Sequence, residues 1–311
     1  MEQKQNAVFG PVASRRLGLS LGIDLLNFKT CSLNCVYCEL GLTSHLTMER
    51  GRFRDYQDVL GQVEERLTQL DTPPDSLTLA GSGEPTLHMD LSKTLQGLRT
   101  ISPIRRVVLT NSTLMHLPEV RRDLSQADIV VPSLDAVSME VFNKLNQPAA
   151  GLNPQAMVDG LIRFRQQYAG QIWLEILLVK GINDHQAELE LLRRAVKDIA
   201  PDILQLNTIV RPPAVSGFLP VPQHELEQIA DSFELPAQVA GQSAAQPSLD
   251  AAELKNIITQ TTNMRPCTME DLMQISGHTK QDLEKALAEL LADGHLQQED
   301  FDGRAYFRGV L

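Results

Sequence analysis

The chain has 311 residues, 42% of them hydrophobic, and a formal net charge of −11 at pH 7. This length predicts one large domain plus a small one, or a single large barrel, and the acidic balance argues against a globally basic surface for nucleic acid. The polar N-terminus has no apolar signal core, and no apolar run is long enough to span a membrane. We therefore expect a soluble cytoplasmic protein whose thiols are kept reduced.

The first predicted strand, residues 17–26 (LGLSLGIDLL), leads into a cluster of cysteines. Cys31, Cys35 and Cys38 are three of the four cysteines in the chain and are spaced C-x3-C-x2-C. Three thiolates this close on a loop can bind three irons of a 4Fe–4S cluster, which normally takes four cysteines. The fourth iron would then have no protein ligand, and an open metal position is what chemistry requires.

Two other roles for these cysteines compete with the cluster. Structural zinc usually has four ligands in paired half-sites, whereas this chain has a single C-x2-C pair, and His45 would have to supply the fourth ligand. A disulfide framework would have to use the distant Cys267, which gives no sensible pairing in a long chain. The residues favour the cluster, and zinc stays open as the alternative.

A glycine-rich turn follows the next predicted strand. After a helix predicted over residues 56–70, a short strand at residues 76–80 runs into a Gly-Ser-Gly-Glu turn that contains Gly81, Gly83 and Glu84. Glycines let backbone groups approach a ligand without side-chain bulk. A carboxylate directly after them could accept a hydrogen bond from a ligand ammonium group. The turn is therefore a candidate ligand-binding loop.

The strand–helix unit then repeats along the chain. Further strands are predicted at residues 104–110, 127–131, 171–179 and 203–209, and helices at 91–99, 117–124, 138–144, 154–168, 184–199 and 223–233. The chain thus holds about six strand–helix units, and their regular alternation predicts a parallel sheet with right-handed crossovers, curved into a barrel or part of one. The predicted fold class is α/β.

Polar side chains stand at the ends of successive predicted strands, where the chemistry of parallel barrels gathers. Besides the cysteines and the carboxylate of the turn, these positions hold Asn111, Ser133, Asp135, Lys180 and Arg211. Each one alone is consistent with an ordinary polar loop, whereas the repetition indicates a site. Asp135 has a structural alternative, because it could cap the helix that begins at residue 138. Asp184 could cap the helix that ends at residue 199. For Lys180 the simpler interpretation is a surface lysine.

The end of the chain changes in composition. Residues 236–250, rich in Ala, Gln, Gly and Ser, predict a linker between a core domain at 1–235 and a small domain at 251–311. In the small domain we predict helices at 252–260, 269–275 and 280–292 and a hairpin turning at Asp302-Gly303. Three helices and a hairpin resemble a winged-helix domain.

The small domain is acidic, since Asp and Glu outnumber Lys and Arg from Asp250 onward. Phosphate contacts dominate nucleic-acid affinity and require basic side chains. This argues against DNA binding and favours docking on a protein or on the rest of the chain, while contact with RNA stays open. Cys267 has no partner cysteine nearby, and we expect a buried, inert thiol.

The cysteine spacing, with an aromatic residue just before the last cysteine, resembles the signature of the radical S-adenosylmethionine (radical SAM) superfamily. This resemblance implies a 4Fe–4S cluster on Cys31, Cys35 and Cys38, with the amino and carboxylate groups of SAM on the open iron. It implies that one electron, from a reductant such as flavodoxin or ferredoxin, splits SAM into methionine and a 5′-deoxyadenosyl radical. The implied fold is a partial (β/α)6 TIM-like barrel.

The same resemblance implies SAM contacts outside the cysteines. Tyr37 matches the aromatic residue that approaches the adenine, and the turn after the second strand resembles the Gly-Gly-Glu-like motif that contacts the SAM amino group. The residues that the resemblance implies for binding SAM are Tyr37, Gly81, Gly83, Glu84, Asn111, Ser133 and Asp135. The last three are candidates for contacts with the ribose and methionine moieties.

Further segments resemble one branch of the superfamily, grouped with the tRNA wyosine-base (imidazoguanosine) synthases. They are residues 9–18, 81–87 and 134–148, and the resemblance spans residues 9–220. Those synthases carry further cysteines upstream for a second cluster, whereas no cysteine precedes Cys31 here. We expect a radical SAM enzyme that abstracts hydrogen from an unidentified substrate, with a tRNA base among the candidates. The alternative is a non-catalytic iron–sulfur or SAM-sensing regulator that docks a partner through the winged helix.

Overall fold

A computed structural model describes residues 6–14, 16–235, 237–239 and 251–310. Eight strands form the main sheet: β1 (Val8–Ser14), β2 (Gly18–Ile23), β5 (Ser76–Leu79), β6 (Arg105–Thr110), β7 (Ile129–Pro132), β8 (Gln171–Leu178), β9 (Ile203–Thr208) and β10 (Ala237–Val239). They lie in the order β1-β2-β5-β6-β7-β8-β9-β10. Two short strands, β3 (Thr30–Cys31) and β4 (His45–Leu46), pair with each other in parallel.

Helices alternate with the parallel strands. They are α1 (Tyr56–Thr68), α2 (Leu91–Ile101), α3 (Pro118–Leu124), α4 (Met139–Leu145), α5 (Pro154–Gln167), α6 (Gln186–Ile199) and α7 (Gln223–Asp231). Every neighbouring pair in the main sheet is parallel except β1 with β2. The predicted α/β class and the six repeating strands from β2 to β9 are therefore confirmed. Closure of this sheet into a partial barrel stays a prediction.

Both edge strands of the main sheet are absent from the sequence-based prediction. β1 contains Gly10 and Pro11, which weaken a strand pattern, and its register against β2 shifts between Phe9 and Val12. β10 lies inside the predicted linker but pairs in parallel with β9, so the linker prediction is wrong for those three residues. The rest of the predicted linker, residues 236 and 240–250, lies outside the described residues.

The sheet buries both of its faces. Val108 and Val130 belong to the main core, whereas their neighbours Val107 and Ile129 pack with Trp173 on the other face. Because successive side chains of a strand point to opposite faces, this alternation defines an inner face with its own apolar cluster. The cluster consists of Leu17, Val107, Ile129, Val131 and Trp173. Among the helices of the described residues, none has the length and apolarity needed to span a membrane.

The predicted cap of α6 is wrong. His185 is the N-cap residue, and its ring nitrogen lies 3.3 Å from the Glu188 nitrogen. Asp184 instead accepts a hydrogen bond from the Gly181 nitrogen at 2.8 Å and pairs with the Lys180 ammonium at 3.3 Å. The tight turn at Gly181, with φ +73°, directs that backbone N–H toward Asp184, so the helix begins one residue later. Lys180 is half-exposed, as expected of a surface lysine.

Residues 251–310, hereafter the C-terminal unit, contain α8 (Ala251–Met264), α9 (Met269–Ser276), α10 (Lys280–Ala292), β11 (Leu296–Phe301) and β12 (Arg304–Gly309). The three helices and the hairpin are as predicted, and Asp302 and Gly303 have φ +49° and +71°, as a two-residue hairpin turn requires. Cys267 is fully buried, and burial raises its pKa to about 11. Identity with a winged-helix domain stays a prediction.

The C-terminal unit packs against the main sheet and the loops at its edge. The Tyr306 hydroxyl donates to the Val210 carbonyl at 2.9 Å. The Arg308 guanidinium donates to the carbonyls of Glu39 at 2.6 Å and Pro212 at 3.2 Å. These contacts tie the unit to the loop that carries the cysteines, because Glu39 directly follows Cys38 in the sequence.

Candidate cofactor site

The cysteine loop is fixed by backbone hydrogen bonds to distant segments. The Asn34 and Val36 nitrogens donate to the Asn146 and Leu145 carbonyls, each at 3.0 Å, at the end of α4. The Thr47 nitrogen donates to the Cys31 carbonyl at 2.9 Å. A loop held at both ends in this way presents its side chains in a defined arrangement.

Each cysteine sulfur in the loop lies within hydrogen-bond distance of one side-chain nitrogen. The three pairs are Cys31 with Asn111 at 3.4 Å, Cys35 with Asn146 at 3.4 Å and Cys38 with Lys29 at 3.0 Å. Such donors stabilise a thiolate relative to a thiol, and in a cluster they tune the reduction potential. Asn111, a predicted SAM-binding residue, therefore lies beside the cysteines, whereas Lys29 and Asn146 were not predicted as their donors.

The buried thiols of Cys31 and Cys35 need a positive partner to ionise. Burial raises the pKa of Cys31 to about 12, and burial together with the neighbouring cysteines raises the pKa of Cys35 well above its usual value. Bound metal supplies that partner, because ligand thiols must lose their protons. Within the described residues no three His, Cys, Asp or Glu side chains converge on a single ion. A cluster does not require this, because each cysteine binds a different iron.

The Gly-Ser-Gly-Glu turn is held against the start of the cysteine loop. Gly83 forms a parallel bridge with Thr30, and the Glu84 nitrogen donates to the Thr30 carbonyl at 3.1 Å. A Cβ atom at Gly83 would lie 1.6 Å from that carbonyl oxygen. Only glycine permits this approach, so the turn sets the position of the residue that precedes Cys31.

Asp24 holds the same turn in place through hydrogen bonds with Ser82. The sequence pattern had not predicted this role. The Asp24 carboxylate accepts hydrogen bonds from the Ser82 nitrogen at 3.1 Å and the Ser82 hydroxyl at 2.6 Å. The side chain is buried, which raises its pKa. Asp24 is the single charged residue in the otherwise uncharged run at residues 17–26, and this was the available signal.

The Glu84 carboxylate is fully engaged within the protein. One oxygen accepts from the Thr86 nitrogen at 3.0 Å and the Thr110 hydroxyl at 2.6 Å, and the other accepts from the Asn111 nitrogen at 2.7 Å. The residue is 1% exposed, and burial raises its pKa. Glu84 therefore links the turn to the end of β6. Its contact with the SAM amino group stays a prediction.

Asp135 is tied to the cysteine loop and does not cap α4. The Tyr37 hydroxyl donates to its carboxylate, which also accepts from the Asn146 amide at 3.1 Å and the Leu177 nitrogen at 2.9 Å. The N-cap of α4 is Ser138, so the capping alternative for Asp135 is wrong. Burial raises the pKa of Asp135 to about 6. Three donors outcompete the helix terminus for this carboxylate.

Of the other predicted residues at strand ends, Ser133 follows β7 and Arg211 contacts the C-terminal unit. Ser133 is half-buried after β7, and its nitrogen donates to the Thr110 carbonyl at 2.8 Å. Arg211 is buried and pairs with Glu39 at 3.4 Å and with Asp271 of the C-terminal unit at 3.3 Å. The structure thus brings together Tyr37, Glu84, Asn111 and Asp135 with the cysteines.

Comparison with known proteins identifies the family. The sequence profile of the Radical SAM superfamily matches residues 28–192, more than half of the chain. The chain belongs to the radical SAM superfamily. This superfamily uses a 4Fe–4S cluster and SAM, so both predicted cofactors are confirmed. The three cysteines, each beside a different N–H donor, fit a cluster that the protein binds through three of its four irons.

Two relatives show how far this radical SAM protein resembles other chains. A UPF0026 protein of Methanocaldococcus jannaschii is 29% identical over 305 residues, which cover 96% of this chain and 94% of the relative. A protein named GTPase Obg of Brachyspira hyodysenteriae is 39% identical over 231 residues, 74% of this chain. That match covers 34% of the relative, so the chain spans about a third of its length.

Two solved radical SAM structures share the fold. A radical SAM methyltransferase from Sphaerobacter thermophilus is 18% identical with a TM-score of 0.54 and covers 71% of this chain and 65% of its own. TYW1 with a lysine-pyruvate adduct bound is 12% identical with a TM-score of 0.51, covering 72% of this chain and 74% of its own. At these identities the likeness shows the fold alone.

Lys29→Met tests the donor to Cys38. Lys29 is 2% exposed, and the methionine keeps the apolar stem while removing the charge beside the thiolate. A charge-assisted hydrogen bond contributes about 1.5–3 kcal/mol, and about 1.4 kcal/mol corresponds to about 59 mV for one electron. We expect the midpoint potential of the reconstituted cluster to fall by about 60–130 mV, as measured in a redox titration followed by EPR.

The matched control is Lys144→Met, an equal change of charge at an exposed position of α4. It should leave the midpoint potential unchanged. If Lys29→Met binds its full complement of iron and titrates at the potential of the unmodified protein, Lys29 has no role in tuning the cluster.

Proposed function

We propose that this protein is an enzyme that reductively cleaves SAM at a 4Fe–4S cluster on Cys31, Cys35 and Cys38 and abstracts hydrogen from a second substrate. A tRNA base is one candidate for that substrate. The observation that carries the proposal is the set of three cysteine sulfurs, each within hydrogen-bond distance of a different side-chain nitrogen. Family membership supports a radical SAM-type activity, and the specific reaction belongs to the proposal.

The cluster and SAM supply the radical chemistry when bound, and the chain supplies placement and shielding. With one electron from flavodoxin, ferredoxin or a similar donor, they would supply the radical that takes one hydrogen atom from the substrate, and Cys31, Cys35 and Cys38 would hold the cluster. For contacts with SAM we propose Tyr37, Gly81, Gly83, Glu84, Asn111, Ser133 and Asp135.

Two of these side chains are held before any ligand arrives. Tyr37 is oriented by Asp135, which in turn is held by Asn146 and the Leu177 nitrogen. Pre-orientation of this kind lowers the entropy that a ligand loses on binding.

The test is anaerobic reconstitution of the full chain with iron and sulfide, followed by SAM and dithionite. We expect a brown protein and 5′-deoxyadenosine on chromatography. Cys35→Ser should lose iron and product, because its thiolate binds one of the three irons. Cys267→Ala should retain both, since that thiol is buried in the C-terminal unit.

Two outcomes would overturn the proposal. One is a colourless protein that binds a single zinc after the same treatment. The other is a Cys35→Ser variant that forms as much 5′-deoxyadenosine as the unmodified chain, because the product would then arise without the proposed ligand set.

A further inference from the structure

A cavity of about 1020 Å³ lies between the inner face of the main sheet and the C-terminal unit. The sheet contributes Ser20, Thr78 and Ala80, and the C-terminal unit contributes Thr268 and Tyr306 among others. Its volume is at the upper end of the range of ligand pockets, about 300–1,000 Å³. Neither part of the chain encloses this space alone.

The cavity adjoins the proposed SAM site on two sides. Ala80 lines it and directly precedes Gly81, the first residue of the turn. Arg211 also lines it and pairs with Glu39, the residue after Cys38. A molecule in the cavity would therefore lie next to the place where the radical is formed.

The charged lining of the cavity is mainly basic, although the chain as a whole has a net charge of −11. Four arginines face two carboxylates there: Arg16, Arg211, Arg265, Arg304, Glu270 and Asp271. A concentration of guanidinium groups in an acidic protein favours an anionic ligand, because a cleft lined by one sign of charge concentrates the opposite sign.

Two of these arginines are already engaged by the protein. Arg16 pairs with Glu175 on the inner face, and Arg211 pairs with Glu39 and Asp271. Arg211 is 9% exposed, yet its Nε has no hydrogen-bond partner among the described residues. Buried polar groups are nearly always paired, and this N–H has no acceptor within the part of the protein that the structure describes.

The other two arginines come from the C-terminal unit. Arg265 is half-buried and Arg304 is exposed, and neither forms an ion pair within the described residues. Guanidinium groups bind phosphate oxygens through two parallel hydrogen bonds. One carboxylate has a single charge and can pair fully with only one guanidinium group. A phosphate carries up to two charges and three acceptor oxygens, so it can pair with several.

We propose that this cavity binds the phosphate group of the substrate, and that the C-terminal unit supplies Arg265 and Arg304 to it. This inference rests on the proposed function for its chemistry, since it names the class of substrate that the radical would attack. The C-terminal unit then serves as a wall of the substrate site, which agrees with its contacts through Arg308 to Glu39, beside the cysteine loop, and through Tyr306 to Val210.

The experiment is calorimetric titration of the reconstituted full chain, in the presence of SAM, with two probes. Pyrophosphate stands for a small phosphorylated substrate, and a ten-nucleotide single-stranded RNA stands for a polynucleotide. We expect at least one probe to bind and the double variant Arg265→Gln/Arg304→Gln to bind it at least about tenfold more weakly. Preference for pyrophosphate assigns the phosphate to a small molecule, and preference for the oligonucleotide assigns it to RNA.

The matched control is Lys280→Gln/Lys285→Gln, the same change of charge on exposed positions of α10 in the same unit. It should bind both probes as the unmodified chain does. Absence of binding by the unmodified chain, or equal loss of affinity in the two double variants, would overturn the inference.

Formation of 5′-deoxyadenosine separates this inference from the proposed function. It is measured in the unmodified chain without either probe, and the affinity for each probe is measured separately by calorimetry. If the chain forms no 5′-deoxyadenosine but binds a probe through the arginines, the proposed function is refuted and the anion site is supported. If the chain cleaves SAM normally but its affinity for the probes does not depend on the arginines, only the anion site is refuted.

Discussion

Gly83→Ala is expected to prevent cluster binding and to leave little folded protein. The added Cβ would lie 1.6 Å from the Thr30 carbonyl oxygen and 2.8 Å from the Leu26 side chain. That carbonyl cannot move away freely, because it accepts the Glu84 N–H at 3.1 Å and lies directly before Cys31. Overpacking costs about 1–3 kcal/mol and occasionally more, and a clash with backbone this close belongs at or above the upper end of that range.

Soluble yield, melting temperature and iron per chain after reconstitution measure the effect. Gly61→Ala is the control, because Gly61 lies in α1 and a Cβ added there would meet no atom within 4 Å. Alanine there should raise the free energy of unfolding by about 0.5–1 kcal/mol. If Gly83→Ala has the same melting temperature as the unmodified chain and binds as much iron, the turn does not hold the cysteine loop.

Glu84→Gln is expected to lower 5′-deoxyadenosine formation about 10–100-fold, the usual range for residues that support metal ligands, and to lower iron content. The change preserves shape but replaces one acceptor oxygen by an NH2 group. All the groups around Glu84 are donors, including the backbone nitrogens of Thr86 and Asn111. A hydroxyl can rotate to accept, but the backbone N–H groups of Thr86 and Asn111 cannot, so in either orientation of the amide one of them would face a donor.

The consequence reaches the cysteines through Asn111. Its side chain donates to Cys31 at 3.4 Å, and a displaced Asn111 would lose that contact in addition to about 1–3 kcal/mol for an unpaired buried donor. Glu64→Gln, an equal change of charge on the exposed face of α1, should leave iron content and product unchanged. Full iron content and product in Glu84→Gln would show that the carboxylate charge is dispensable.

Local patterns in the chain predicted the candidate metal ligands and most of the secondary structure. The ligand set follows from spacing alone, because C-x3-C-x2-C places three thiols on one short loop whatever surrounds it. The alternation of strands and helices was also readable, since each period repeats over many residues. The two edge strands were missed because Gly10-Pro11 interrupts β1 and because β10 is three residues long in a segment with the composition of a linker.

The sequence by itself determined the three cysteines, the α/β class and the order of the repeating units, because these depend on residues close together in the chain. Only the tertiary structure decided which remote groups serve the cysteines: Asn111 and Asn146 reach sulfurs that lie 80 and 111 residues away. It also decided that Asp135 holds Tyr37 and that arginines of the C-terminal unit line a cavity beside the turn. Such contacts arise from the packing of distant segments, which no local pattern records.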